Sequence, residues 1–262
     1  MKQEVHWLKT MGSSRKEIYT SSHIDRTVRK KLCRRKQPVY KKRDAMIYRL
    51  MIKRISNVSS CDIPDGNTQR FVHRLLLKLK EHEFDIGGGK DAIAVYFKEE
   101  SNHTYLTLHN SQKWVAEHIV DVPLDVLERI DKEPDVVAEK LEEILSLYAT
   151  ENCTCEMIHE WIRETLEKQE KMECVLQEKK YYGRKAILSI RYLDTKEYLP
   201  IIRVYDTDNS LVLEDMLPCV KYLSVLDVME FTSGRVTVRS KKRALHQQSI
   251  TVDCKSLFKR KK

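Results

Sequence analysis

Apolar residues recur every three or four positions through much of the chain, which is the spacing that one face of an amphipathic helix shows. Pro123 and Pro134 fit the first turns of two such helices, and Asp44 and Asn67 are side chains that can cap two others. The spacing predicts helices over residues 45–55, 68–81, 111–119, 124–131, 135–148 and 155–179.

Alternating apolar side chains, typical of strands, mark other stretches. Residues 91–97 and Tyr105–Leu108 alternate on either side of a short polar turn, which predicts a β-hairpin over 91–109. Four more strands are predicted near the C-terminus, over 184–193, 199–205, 235–239 and 249–254. Residues 211–231 are too apolar for a free loop, but their pattern is ambiguous between strand and helix.

The predicted fold class is α+β, with N-terminal helices and a hairpin, central helices, a mixed β segment near the C-terminus and basic tails. The predicted organisation is a basic flexible arm (1–43), a helical domain with a hairpin (44–150), a long helix or connector (151–182), a β-rich domain (183–254) and a basic tail (255–262). The first two helices and the hairpin also fit a winged-helix-like arrangement, although the usual third helix is not evident.

Charge is distributed unevenly along the 262 residues, which carry 48 Lys and Arg against 39 Asp and Glu. Residues 1–45 hold 14 basic and 4 acidic side chains, and residues 239–262 hold 9 and 1. The remaining body has 25 basic and 34 acidic side chains, a net charge of −9. An acidic body with two basic ends excludes a uniformly basic, histone-like protein.

Clusters of Lys and Arg in the two basic ends are the strongest functional signal. A flexible cationic segment neutralises phosphates and releases their counterions, so it binds nucleic acid with a strong salt dependence. The same clusters match receptor-read nuclear-import signals, and a solvated tail that only aids solubility is the remaining interpretation. The candidate nucleic-acid-binding residues of these ends are Arg29, Lys30, Lys31, Arg34, Arg35, Lys36, Lys41, Lys42, Arg43, Lys241, Lys242 and Arg243.

The helix predicted over 68–81 adds a second basic candidate. Arg70, Arg74 and Lys78 recur on one of its faces, and in a winged-helix-like arrangement that face would meet a phosphate backbone. RNA and DNA fit these signals equally well.

Carboxylates at predicted strand ends support a weaker, metal-based hypothesis. Asp194 follows one strand, and Asp206 and Asp208 follow the next, so together they could hold a divalent ion for phosphodiester hydrolysis. The segment that begins at Asp206 is also ordinary turn chemistry, which is the favoured interpretation. Ligand types for zinc occur at Cys153, Cys155, His159 and Cys174, but their spacing is poor.

Other chemistry finds little support. The triple glycine at 87–89 lacks the spacing of a phosphate-binding loop, and no nucleophile elbow occurs, so no catalytic residue and no cofactor is predicted. Seven cysteines at irregular spacing favour a reduced, intracellular setting. No apolar stretch approaches the roughly 18 residues of a membrane span, so no membrane partner is expected.

The leading hypothesis is a non-enzymatic, nuclear, nucleic-acid-associated protein. Its basic ends would contact RNA or DNA, and its acidic body would bind a protein partner. One alternative is a structural adaptor whose basic clusters serve only import, and the other is a metal-dependent nuclease.

Overall fold

The structure is a computed structural model that describes residues 46–55, 60–101, 113–241 and 247–258. Helices and sheets both contribute substantially, so the predicted α+β class is confirmed in outline. The helices are α1 (Asn67–Glu81), α2 (Leu124–Arg129), α3 (Pro134–Ser146) and α4 (Cys155–Lys168). The strands are β1 (Arg49–Ile55), β2 (Ser60–Asp62), β3 (Ala92–Glu99), β4 (Val115–Val122), β5 (Glu173–Tyr181), β6 (Arg184–Tyr192), β7 (Tyr198–Tyr205), β8 (Leu211–Met216), β9 (Val228–Phe231), β10 (Arg235–Arg239) and β11 (Ser249–Asp253).

The N-terminal half is built on a four-stranded sheet in the order β2-β1-β3-β4. Strand β3 pairs in parallel with β1 on one side and with β4 on the other, while β2 is antiparallel to β1. The helix α1 provides the crossover from β1 to β3 that a parallel pair requires. Apolar side chains of α1, α3 and α4 pack with one face of this sheet in a shared core.

Two helices predicted in this half are wrong, because residues 49–55 form β1 and residues 115–122 form β4. Both strands carry apolar residues toward both faces of the sheet, and polar residues such as Lys53 and His118 interrupt them, so the sequence shows no clear period of two and also fits helical spacing. The first strand of the hairpin predicted over 91–109 is confirmed as β3, but its predicted hairpin pairing is wrong, since β3 lies between two strands that are parallel to it. The predicted second strand, Tyr105–Leu108, lies outside the described residues. The winged-helix-like arrangement is not formed.

The helix predicted over 155–179 ends at Lys168, eleven residues early. A 3-10 turn at Gln169–Lys171 follows, in which Gln169 has a positive φ of 47°, and β5 begins at Glu173. Met172 and Leu176, whose positions continue the helical spacing in the sequence, instead belong to the C-terminal half, where Met172 is buried in the core and Leu176 packs against it.

The C-terminal half contains two antiparallel sheets, a meander in the order β5-β6-β7-β8 and a three-stranded sheet in the order β11-β10-β9. Inward-facing side chains of both sheets form one core, to which α1 contributes Leu77. The strands predicted over 184–193, 199–205, 235–239 and 249–254 are confirmed within one residue at each boundary. The ambiguous segment 211–231 contains β8, a 3-10 turn at Leu223–Leu226 and β9.

Candidate nucleic-acid interface

Most of the predicted basic residues lie outside the part of the chain that the structure describes. This is the case for the candidates from Arg29 to Arg43, for Lys242 and Arg243, and for residues 259–262 of the predicted tail. Lys241 is described, and its side chain is exposed with Nζ 3.9 Å from an Asp227 carboxylate oxygen. Contacts of these residues with nucleic acid remain predictions.

Of the three predicted basic side chains of α1, Arg74 and Lys78 are buried and Arg70 is partly buried. Arg74 is only 5% exposed, and it donates from Nε to the Tyr192 carbonyl at 2.9 Å and from Nη2 to Asp194 Oδ1 at 2.6 Å. Arg70 Nε lies 3.3 Å from the same Asp194 oxygen. The interactions tie α1 to the β6–β7 turn.

Lys78 is buried in a similar way, with Nζ 3.1 Å from Glu81 and 3.0 Å from Glu164 of α4. Burial alone lowers the pKa of Lys78, but its hydrogen bonds to Glu164 and Glu81 outweigh burial and leave the pKa raised. Arg70, Arg74 and Lys78 therefore join α1 to its neighbours, and they do not form the open basic face that the sequence predicted.

Two clefts beside the N-terminal turns of α1 contain some of these cations. Their volumes are about 290 and 230 Å³, and Arg70 lines both of them. In the first cleft Asp65 faces both Arg70 and Lys196, so its lining carries a formal charge of +1. In the second cleft two carboxylates balance two arginines.

The three aspartates of the metal hypothesis do not converge. Asp194 follows β6 and Asp206 follows β7, and consecutive antiparallel strands finish at opposite ends of their sheet. At a rise of about 3.4 Å per residue, the two ends of the β6–β7 ladder are about 25 Å apart. Asp206 instead accepts a hydrogen bond from Arg184 Nε at 2.9 Å, and Asp208 accepts from the backbone and hydroxyl of Ser210 at 3.0 and 2.6 Å. The three-aspartate site is therefore wrong, and the turn interpretation of Asp206 and Asp208 fits.

The candidate zinc ligands of the sequence also do not form a metal site among the described residues. Burial raises the pKa of the Cys153 thiol to about 11 and, with nearby carboxylates such as Glu81, that of Cys174 to about 12, which disfavours the thiolate that a metal requires. His159 is exposed and pairs with Glu142 at 3.1 Å. Within the described ranges, no three His, Cys, Asp or Glu side chains are placed to hold a metal ion.

A basic and aromatic cluster that the sequence analysis missed lies at the turn between β5 and β6. We call residues 179–185, Lys-Lys-Tyr-Tyr-Gly-Arg-Lys, the hairpin tip. Its two turn residues both have positive φ, 48° at Tyr182 and 78° at Gly183, which is the type I′ geometry that matches the twist of a two-residue hairpin. A Cβ on Gly183 would lie 3.1 Å from Thr207 Cγ2, so glycine suits this position for both conformation and space.

Aromatic contacts anchor Tyr181 at the base of the hairpin tip, whereas the Tyr182 ring is exposed to solvent. Tyr181 packs against Phe231 and Phe258, with ring centroids 5.9 and 6.0 Å apart. Tyr182 contacts Tyr181 edge-on at 4.6 Å between centroids, yet it is 82% exposed. The hairpin tip therefore presents a large ring to solvent on an anchored base.

Four cations flank these tyrosines. Lys179 and Lys180 are exposed on β5, and Lys180 Nζ lies 3.5 Å from Glu178 in a solvent-exposed pair of the kind that contributes little energy. On β6, the Arg184 guanidinium lies 4.4 Å from the Phe258 ring centre, and Lys185 Nζ lies 4.9 Å from the Tyr205 ring centre. The carboxylates of Asp206 and Glu178 offset part of this charge.

The chain near its C-terminus is attached to the same place. A 3-10 turn, Lys255–Phe258, places Phe258 against Tyr181, Phe231 and Arg184, and four consecutive cations, Lys259 to Lys262, follow in the sequence. A cleft of about 350 Å³ shares this turn. Its lining residues are Thr232, Ser233, Gly234, Arg235, Thr251, Asp253 and Lys255. Phe258, the last residue that the structure describes, therefore lies beside the hairpin tip.

No family model, curated protein or solved structure matches the chain. In the described part of the chain, no helix combines the length and apolar content that a bilayer crossing requires. The geometry of the hairpin tip is therefore the main support for a functional proposal.

Proposed function

We propose that this chain is a nuclear, non-enzymatic, nucleic-acid-associated protein whose basic ends contact phosphates and whose acidic body binds a protein partner. The carrying observation is the junction of Phe258 with the hairpin tip. Because Phe258, the last described residue, packs on Tyr181 and under Arg184, the described chain ends beside the hairpin tip, and the sequence continues with four cations. The alternation of β5 and β6 places Arg184 on the face that meets Phe258, and Lys180 and Lys185 on the opposite face, so cations occur on both faces of this tip of an otherwise acidic body.

Electrostatics gives this surface a measurable signature. Cations that neutralise phosphates release condensed counterions, and for a single strand the logarithm of affinity falls with the logarithm of salt concentration by about 0.7 per phosphate neutralised. Most hairpin-tip cations are solvated or lie on aromatic rings. They are therefore available to an anion at little desolvation cost.

The test is binding of the full chain to labelled RNA and DNA, single-stranded and duplex, at several salt concentrations. Replacing Lys259, Arg260, Lys261 and Lys262 by Ser should reduce the salt slope by up to about 3 for single strands. Deleting residues 1–43 should weaken binding further, because this segment carries 14 Lys and Arg side chains. Absence of binding by the full chain at low salt would contradict the proposal.

A second candidate function, the structural adaptor, is supported by strand β8. Among the described strands it pairs with β7 alone, so it lies at the edge of its sheet. Leu211, Val212 and Met216 on it are exposed. Exposed apolar edge strands are places where a strand from another chain can pair.

The adaptor function has its own test. Replacing Val212 and Met216 by Lys places charges on the exposed edge without removing a buried side chain. If β8 joins an assembly, the double variant should lose co-purifying partners or a higher oligomeric state in light scattering, while nucleic-acid binding is retained. Unchanged assembly in the variant would exclude β8 as the joining surface.

A further inference from the structure

We propose that the hairpin tip is a binding site for single-stranded nucleic acid, in which an unstacked base lies on the Tyr182 ring and the adjacent phosphates contact Lys180 and Lys185. This inference deepens the proposed function and rests on it, since it names the substrate class and the residues of one site.

The Tyr182 ring is suited to stacking. It is 82% exposed, while the backbone under it is set in the type I′ geometry and Tyr181 packs against it in a T-shaped contact. The backbone that carries the ring is therefore ordered before a base covers the ring. Aromatic rings of this kind bind bases of any sequence, because each base has a π-face.

The β5–β6 register supplies an independent indication of an anion. Lys180 and Lys185 are directly opposite each other in the ladder, and the next pair toward the turn is Tyr181 with Arg184. Like charges opposite each other on paired strands destabilise a sheet. Glu178, 3.5 Å from Lys180 Nζ, and the Tyr205 ring, 4.9 Å from Lys185 Nζ, offset part of this repulsion, and a phosphate between the two lysines would add an attraction to each.

Single strands fit this site better than duplexes. In a duplex the bases remain stacked on one another, so the Tyr182 ring has no open base face to cover. The cations also lie on a ribbon only two strands wide, and Asp206 of the neighbouring β7–β8 turn already accepts a hydrogen bond from one of them, Arg184. One phosphate chain and its unstacked bases match this distribution of rings and charges.

The experiment uses the full chain, with a fluorescein-labelled 12-nucleotide oligo(U) or oligo(dT) and a duplex of the same length as probes. Tyr182→Ala should weaken single-strand binding roughly 5- to 100-fold, the range expected for loss of one base–aromatic stack. Duplex binding should change less than twofold. Tyr182→Phe should bind like the wild type, because the ring is kept.

Tyr48→Ala is the matched control, since Tyr48 is another exposed tyrosine on the distant sheet of the N-terminal half. It should leave both affinities unchanged. Equal affinities of Tyr182→Ala and Tyr48→Ala for the single strand would overturn the site, as would equal losses for single strand and duplex. A full chain that binds no probe at low salt would refute the proposed function itself, which is a different result from binding that ignores Tyr182.

Discussion

Two groups of cations in this protein have the same side chains and opposite environments. Arg74 and Lys78 on α1 are buried and held by carboxylates, whereas Lys179 and Lys180 at the hairpin tip are exposed. A buried cation must be paired to offset its desolvation, and once paired it contributes to structure. An exposed cation costs little to maintain and remains available to a ligand. Residue type and helical spacing alone therefore do not identify a binding face.

The sharpest test of this difference is Arg74→Met, which should reduce stability and leave nucleic-acid affinity unchanged. The substitution removes two hydrogen bonds and leaves the Tyr192 carbonyl without its donor. We expect the free energy of unfolding to decrease by about 2 to 3 kcal/mol. This is less than for a fully buried ion pair, because Asp194 is 56% exposed and can be hydrated once Arg74 is removed. Urea denaturation measures this loss.

Arg163→Met provides the control, since Arg163 pairs with Glu160 and Glu167 on the exposed surface of α4. Its loss should cost less than about 0.5 kcal/mol. Equal stability losses for the two variants would show that burial does not distinguish the two groups of cations. A weaker affinity of Arg74→Met for RNA or DNA, measured under folded conditions, would return α1 to the binding surface.

The second test measures how the stability of the buried region around Arg74 depends on pH, through His73. Burial, and secondarily the charges of Lys80 and Arg74, lowers the pKa of His73 from 6.5 to about 4. His73 stacks on Tyr192 at 4.0 Å between centroids, and its Nε2 lies 2.6 Å from the Tyr198 hydroxyl. The neutral imidazole thus belongs to the same junction that Arg74 holds.

The sign of the pH effect follows from where protons bind. Below pH 6.5 the unfolded chain protonates His73, while the folded protein does not until about pH 4. Stability from this group is therefore full above pH 6.5 and decreases as the pH falls toward 4. Between pH 7.5 and 5 the decrease should be about 2 kcal/mol from this residue.

Unfolding of the wild type and of His73→Gln at pH 7.5 and 5.0 measures the effect. The variant should lose about 2 kcal/mol of the pH dependence, and His118, whose pKa burial also lowers to about 4, should account for much of the rest. His159→Gln, at an exposed position, should keep the wild-type dependence. An identical pH dependence in His73→Gln and the wild type would show that His73 is not held neutral by its surroundings.

Features that depend on a local pattern could be predicted from the sequence, whereas features that depend on contacts between distant residues could not. The strands β6 and β7 were predictable because each alternates core and solvent side chains along an antiparallel meander. Strands β1 and β4 were not, since their apolar residues point to both faces of the sheet and polar residues interrupt them, which leaves a spacing that also fits a helix. The pairing of Arg74 with Asp194 joins residues 120 positions apart and leaves no local pattern. The hairpin tip does have a local signal in the sequence, Tyr182-Gly183 between basic strand residues.

The smallest expected effects are those of a substitution at Lys180, one of the exposed cations of the hairpin tip. Lys180→Gln removes one cation from the proposed phosphate contact, so the salt slope for single strands should decrease by about 0.7. It also removes the repulsion across the ladder from Lys185, so the free protein should gain a few tenths of a kcal/mol of stability, about the size of one cross-strand pair. Lys132→Gln, at an exposed position beyond α2, should change neither quantity. Weaker binding together with higher stability would show that Lys180 contributes to ligand binding and destabilises the free protein. A loss of stability would instead show that Lys180 has a structural role, as Arg74 and Lys78 do.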